Sequence, residues 1–177
     1  MVKLSKKQVV VAVDPSGNFE EGKGTTGIAL FVDGDLKETS IIEASKYECA
    51  EEYWQAHIHK IDSMIARNIA MLQVFGSDLY MVCESYKLQR NKAIQQSGSW
   101  LETPQLIGYL RVRYHNRGTP LTFQDPTIKT RFNDSVLENM EVIEKKSRSY
   151  FRNGEPITMH ERDAIRHGMY FIRYGKK

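Results

Sequence analysis

Val9-Val10-Val11-Ala12-Val13-Asp14-Pro15-Ser16-Gly17 decides how this chain folds. An unbroken run of β-branched and small apolar residues fits a strand buried on both faces. Pro15 and Gly17 are turn formers that stop it. Asp14 is left at the carboxyl end of a central strand. A polar loop follows through Asn18 to Gly24. Thr26 to Val32 reads as a second strand, Asp33-Gly34 as a hairpin turn, and Leu36 to Glu43 as a third strand. The chain therefore opens with three antiparallel strands, the first closed by an acid. Gly17 and Gly22-Lys23 have P-loop spacing, but Gly24 stands where Ser or Thr is required. The loop also leads into strand-like Ile28 to Val32, not into a helix whose N-terminus could receive phosphate. The P-loop reading is set aside.

Trp54, Ile58, Ile61, Ile65, Ile69 and Leu72 recur at helical steps and predict a long helix over 48–75. Leu79 to Cys83 is a buried strand ending at Glu84, and the strand–helix–strand passage predicts parallel pairing with the first strand. The polar stretch Ser85 to Leu101 carries Lys87, Arg90 and Lys92 and no acid. Thr103, as N-cap, and Pro104 start a helix to about Arg117, with Leu106, Ile107, Leu110 and Tyr114 inward. Pro120 to Gln124 reads as a short parallel strand, and Asp125-Pro126 as a turn or short helix. Asp134 to Ile143 reads as a further helix. Lys145 to Gly154 is basic and aromatic, and Thr158 to Tyr174 is the final helix. No internal repeat or linker divides the sequence, so residues 1–177 are expected to form one domain.

A chain of 177 residues, 41% hydrophobic and 27% charged, has the composition of a globular domain with a sizeable core. The net charge of +3 argues only weakly for a polyanionic partner. Cys49 and Cys83 are far apart in apolar surroundings, which predicts buried free thiols of a reducing compartment. No apolar run approaches the roughly 20 residues of a membrane span. The basic stretch Met1 to Gln8 leads into a strand, not a signal-peptide core. These features predict a cytoplasmic protein without a membrane partner.

In the last helix, Met159-His160-Glu161-Arg162-Asp163-Ala164-Ile165-Arg166-His167 puts His160, Asp163 and His167 on one stripe. Taken singly, Glu161 and Asp163 merely suit a helix N-terminus, Asp14 a turn, and Glu84 a strand end. His167, one turn beyond Asp163, reads as structural. Together the acids say more. Parallel strands bring Asp14 and Glu84 out at one end of the sheet, where ligand sites of open α/β sheets lie. The last helix can deliver Asp163 there. Three acids at one place need a cation, and hard oxygen ligands without thiolates select Mg²⁺ or Mn²⁺. Two such ions roughly 4 Å apart can activate a water and stabilise the leaving oxygen of a phosphodiester.

This layout resembles the RNase H-like nuclease fold, and within it the RuvC-type Holliday junction resolvases of phage type. The residues that carry the likeness are Asp14 in Val-Asp-Pro-Ser, Glu84 in Val-Cys-Glu, and His160 and Asp163 in His-Glu-Arg-Asp-Ala-Ile-Arg-His. The Thr103 to Gly108 helix start and the Pro120 to Pro126 stretch add to it. The resemblance implies an α/β fold with a mixed central sheet of about five strands flanked by helices. It implies a homodimeric, metal-dependent endonuclease acting on four-way or other branched DNA and leaving 5′-phosphate and 3′-hydroxyl ends. Asp14, Glu84 and Asp163 would hold two Mg²⁺ (or Mn²⁺) ions. His160 would position water or phosphate and share in coordination. Tyr86, Lys87, Leu88, Arg90 and Lys92 would meet DNA beyond Glu84. Arg111, Arg113 and Arg117, and Lys145, Lys146, Arg148 and Arg152, would hold phosphates, although charge runs are commonly solvated faces. The Thr103 helix is the expected dimer interface. The sequence departs from the family in its longer first loop, Ser16 to Thr25. It also has Lys87, flanked by Tyr86 and Leu88, where an aromatic wedge is usual.

Three alternatives remain from the sequence alone. One is another RNase H-like nuclease, acting on RNA–DNA hybrids or in DNA packaging. Another is a non-catalytic binding module of that fold. The third is an actin-like or sugar-kinase ATPase, whose first strand also ends in Asp but whose two lobes need a longer chain.

Overall fold

The structure, a computed structural model, describes residues 7–70, 77–86 and 101–175. Strands β1 (Lys7–Asp14), β2 (Thr25–Val32), β3 (Asp35–Glu43), β4 (Ser77–Glu84) and β5 (Leu121–Gln124) form one mixed sheet in the order β3-β2-β1-β4-β5. β2 runs antiparallel to β1 and β3, while β4 runs parallel to β1 and β5. The central place of β1 follows from its composition. Val9, Val11 and Val13 enter the core on one face; Val10 and Ala12 enter it on the other. The hairpin at Asp33-Gly34 has both residues at positive φ, 53° and 92°. That matches the twist of the flanking strands and suits an Asp-Gly pair.

Helices α1 (Ala50–Ala70) and α2 (Glu102–His115) cover one face of the sheet. They bring Tyr53, Ile58, Ile61, Met64, Leu106, Leu110 and Tyr114 against the odd-numbered valines of β1. The other face is covered by α5 (Met159–Tyr174), through Ala164, Ile165 and Phe171. Between β5 and α5 lie α3 (Ile128–Arg131), α4 (Asp134–Asn139) and a three-stranded antiparallel sheet. Its strands are β6 (Glu144–Lys146), β7 (Ser149–Arg152) and β8 (Glu155–Ile157).

Two glycines set how closely α5 approaches. Gly27 of β2 is paired with Asp14, and a Cβ added there would overlap the backbone carbonyl of His160. A Cβ on Gly168 would overlap the Phe31 ring. The first turn of α5 therefore rests directly on the β2 backbone, beside Asp14.

Several boundaries differ from the sequence reading. The part of the first helix expected beyond Ala70, including Leu72, lies outside the described residues. Helix α2 is capped at Leu101, which makes no side-chain cap bond. Thr103 instead accepts a hydrogen bond from the Gly17 N–H at 2.9 Å, tying α2 to the loop after β1. The helix expected over 134–143 stops at Asn139, because Glu141 takes a positive φ of 56° that no helix continues. The basic aromatic stretch is the β6–β8 sheet, whose strands of three or four residues are too short to show a period. Cys83 is buried, but Cys49 is only half-buried; both are free thiols. Among the described residues no helix is long and apolar enough to cross a membrane.

Candidate active site

Val13 pairs with Cys83 in parallel register, so Asp14 and Glu84 follow side by side at the carboxyl end of the sheet. The α5 start is fixed by a capping box. Thr158 accepts from the Glu161 N–H, and Glu161 accepts from the Thr158 N–H at 2.9 Å. Glu161 is thus occupied in the cap. His160 and Asp163 are left to face the strand ends, and the His160 Nδ1–H donates to Asp14 Oδ2 at 2.9 Å.

The three acids converge on a side chain that the sequence reading did not single out. Lys129, from α3, places its Nζ 3.3 Å from Asp14 Oδ1, 2.7 Å from Glu84 Oε2 and 2.7 Å from Asp163 Oδ2. The other oxygen of Asp163 pairs with Arg166, which also pairs with Asp134. Arg162 joins Asp134 at 2.5 Å and stacks over the Tyr150 ring at 4.0 Å. His167 is fully buried; its Nε2–H donates to Glu84 Oε2 at 2.7 Å, and its Nδ1 lies 2.9 Å from the Gln124 amide. It packs as a structural residue, yet it touches the site. Ligand-capable atoms of Asp14, Glu84 and His167 all lie within 4.8 Å of one another.

The electrostatics are unequal. Burial, the largest influence on Asp14, raises its carboxyl above the usual range despite the His160 hydrogen bond and the Lys129 charge. Burial pushes Glu84 the same way, but hydrogen bonds from His167, Asp14 and Lys129 together pull it down to about 2. Of the two neighbouring carboxyls, Glu84 therefore ionises first. Burial disfavours the Lys129 ammonium; the Asp14 charge and the Asp163 and Glu84 hydrogen bonds outweigh it and raise its pKa. The Asp14 hydrogen bond raises His160, against burial.

This donor set fits a hard divalent cation. Three carboxylate oxygens already surround one cationic nitrogen, no thiolate takes part, and the His167 imidazole lies within 4.8 Å of the Asp14 and Glu84 donors. Asp14, Glu84 and Asp163 would hold such an ion.

A buried network fixes the loop leaving Asp14. The Tyr53 hydroxyl donates to the Ser16 carbonyl at 2.6 Å, and Thr26 Oγ1 accepts from the Ser16 N–H at 3.0 Å. His57 underlies both. Its Nδ1–H donates to the Tyr53 carbonyl at 2.7 Å, and its Nε2 accepts from the Thr26 hydroxyl at 2.8 Å. Beside Glu84 a cleft of about 180 Å³ opens between Pro15, Tyr86, Thr103, Ile107 and Pro126.

The expected DNA-contacting residues fall in different places. Tyr86 lines this cleft; Lys87, Leu88, Arg90 and Lys92 lie outside the described residues. Arg111 and Arg113 are exposed on α2, Arg111 lying 5.9 Å over the Phe123 ring. Arg117 is engaged by Asp62 at 2.6 Å. Lys145, Lys146 and Arg148 are exposed on β6 and its turn, with Lys145 over Tyr150 and Lys146 over Phe151. Arg152 departs from the expectation: it donates to the Leu36 carbonyl at 2.6 Å and tethers the small sheet to β3.

Neither a family model nor a curated protein matches the sequence. Among solved structures the chain is similar to one described as T. thermophilus RuvC in complex with Holliday junction substrate. The identity is 15%, the match covers 96% of this chain and 97% of that one, and the TM-score is 0.54. The likeness is one of fold: an α/β domain with a mixed five-stranded sheet flanked by helices, as the sequence predicts. The chain has a RuvC-like fold.

Proposed function

We propose that this protein is a metal-dependent, structure-selective DNA endonuclease that resolves four-way (Holliday) or other branched junctions. The observation that carries the proposal is the convergence of Asp14, Glu84 and Asp163 on one cationic position at the carboxyl end of a RuvC-like sheet. Divalent ions held there, Mg²⁺ or Mn²⁺, would activate a water and stabilise the leaving oxygen of the phosphodiester. His160, held by Asp14, would orient water or the scissile phosphate. Glu84, the more acidic of the strand-end pair, keeps a negative charge at the site across the physiological range. His167 and the Tyr53–His57–Thr26 network keep Glu84 and the loop after Asp14 in place.

Arg111, Arg113, Lys145 and Arg148 are exposed and would meet phosphates, as would Lys146 on leaving Glu144, with Tyr86, in the cleft beside Glu84, nearer the cut; Lys87, Leu88, Arg90 and Lys92 would add to them. Paired, symmetric incisions call for two sites related by a two-fold axis, so we assign a homodimer. We place its interface on α2, where Val112, and Leu101 at the N-cap, are exposed.

The deciding experiment compares a four-way junction, a flap, an RNA–DNA hybrid and linear duplex DNA at one salt concentration, with and without Mg²⁺. We expect Mg²⁺-dependent cutting of the junction in preference to the others. Preference for the hybrid would move the assignment to a different nuclease of this fold. Binding without cutting would make the protein a recognition module.

A further inference from the structure

We infer that Lys129 is the resident counter-ion of the three-acid site, and that a divalent ion must displace its ammonium to bind. This rests on the reading of Asp14, Glu84 and Asp163 as metal ligands.

The basic side chains around the site differ in how they are held. Arg166 is pinned between Asp163 and Asp134 and is itself buried. His167 is enclosed between Glu84 and Gln124. Lys129 is different. It rises from a four-residue helix on a flexible stem, and its side chain keeps 25% of its surface exposed. Its backbone is anchored by the neighbouring buried Ile128, so the ammonium can move while the helix stays.

The ammonium already occupies one oxygen of each acid. Lys129 Nζ uses Asp14 Oδ1, Glu84 Oε2 and Asp163 Oδ2. An ion such as Mg²⁺ takes its oxygens at about 2.0–2.1 Å. It would take the same oxygens that the Lys129 ammonium now holds, so the two cations compete for them. Like charge adds to the exclusion. Lys129 therefore has two opposite effects. Without an ion it neutralises three carboxylates that would otherwise repel one another beneath the α5 N-terminus. With an ion present it competes, and so sets the concentration needed to fill the site.

The test uses the full chain with Lys129→Met, which keeps the stem length and removes the charge, and Lys129→Arg, which keeps the charge. Mn²⁺ binding is measured by calorimetry, and unfolding temperature is measured with and without Mn²⁺. Lys129→Met should bind Mn²⁺ at least about tenfold more tightly than wild type, because a close like charge is gone. Its ion-free form should unfold at lower temperature, and Mn²⁺ should raise that temperature by more than in wild type. Lys129→Arg should stay near wild type in affinity. If Lys129→Met is unfolded without an ion, refolding on Mn²⁺ addition supports the inference, and failure to refold overturns it. Wild-type binding with an equal or weaker constant in folded Lys129→Met overturns this inference alone. No Mn²⁺ binding by either protein overturns the metal reading as well.

Discussion

Gly27 and His160 meet backbone to backbone, with no space for a side chain between them. Gly27 pairs with Asp14 across the sheet, so this contact sets the distance from which His160 reaches Asp14. Gly27→Ala should push the first turn of α5 outward. Overpacking of this kind costs about 1–3 kcal/mol, and the proposed cleavage should fall with it. Unfolding in urea and junction cleavage measure the two effects. Wild-type behaviour in both would mean that the helix start tolerates displacement.

Asp14→Asn and Asp163→Asn should both abolish cleavage while DNA binding persists, yet differ in stability. An asparagine at 14 can still accept from His160 and relieves repulsion with Glu84. Asp163 is buried and satisfies both Lys129 and Arg166. Removing one member of a buried ion pair costs roughly 3–5 kcal/mol. We expect Asp163→Asn to have the clearly lower urea midpoint; the reverse order would contradict this account. Glu84→Gln should also abolish cleavage.

His160→Ala should slow cleavage by roughly 10² to 10⁴-fold with little change in affinity, the usual range for a positioned acid–base group. The Asp14 hydrogen bond raises the His160 pKa. Its contribution to stability is therefore full below the unfolded value and is lost as pH rises through the folded one. His167→Ala should behave differently, lowering thermal stability as well as rate, because it empties a fully buried position and strands Gln124. Single-turnover rates and melting curves on the two variants separate these effects.

His57 makes the fold acid-sensitive. Burial, only partly offset by its hydrogen bond to the Tyr53 carbonyl, lowers its pKa from 6.5 to about 4. The unfolded chain binds more protons between those values, so stability rises with pH across that window. The gain is complete above about 6.5 and is lost as pH falls toward 4. From pH 7 to pH 5 the loss from this group is on the order of 2 kcal/mol. His57→Gln, lacking the titration, should show a shallower stability slope over that interval in denaturant unfolding. Parallel slopes would refute the assignment.

On the small sheet, Lys145, Lys146 and Arg148 should act together and apart from Arg152. Replacing the three with Ala should weaken binding to all DNA and flatten its salt dependence. Arg152→Ala should leave the salt slope nearly unchanged and lower the melting temperature, since its guanidinium bonds β3 carbonyls. Titrations at several salt concentrations distinguish the two outcomes.

Asp14 and Glu84 were legible because each ends an apolar run whose direction fixes where the acid emerges. The α5 start was legible because Glu161 and Asp163 suit a helix N-terminus, whereas the Thr158–Glu161 capping box emerged only in the structure. Lys129 was not. It sits on a helix of four residues, too short for any period, and its role depends on β5 having carried the chain across the sheet end. The β6–β8 sheet was hidden for a related reason: its strands are three or four residues long and none of their residues is buried, so no alternation marks them. Thr103 reads as a cap in sequence, but the near approach of Gly17 redirects its hydroxyl to a partner 86 residues away.

The bond from His160 to Asp14 joins residues 146 apart in sequence, and the one from Lys129 to Asp14 joins residues 115 apart. Such contacts are the slow kind, because the intervening loops must close before they form. On the ribosome the amino-terminal strands emerge first. Asp14 is exposed to the cell well before the helix carrying His160 and Asp163 has been made. A nascent chain, or one that misfolds before α5 docks, thus holds only scattered carboxylates. On the proposed reading, the capacity to cut DNA arrives with the final docking step, and unfinished copies of the enzyme are harmless to the genome around them.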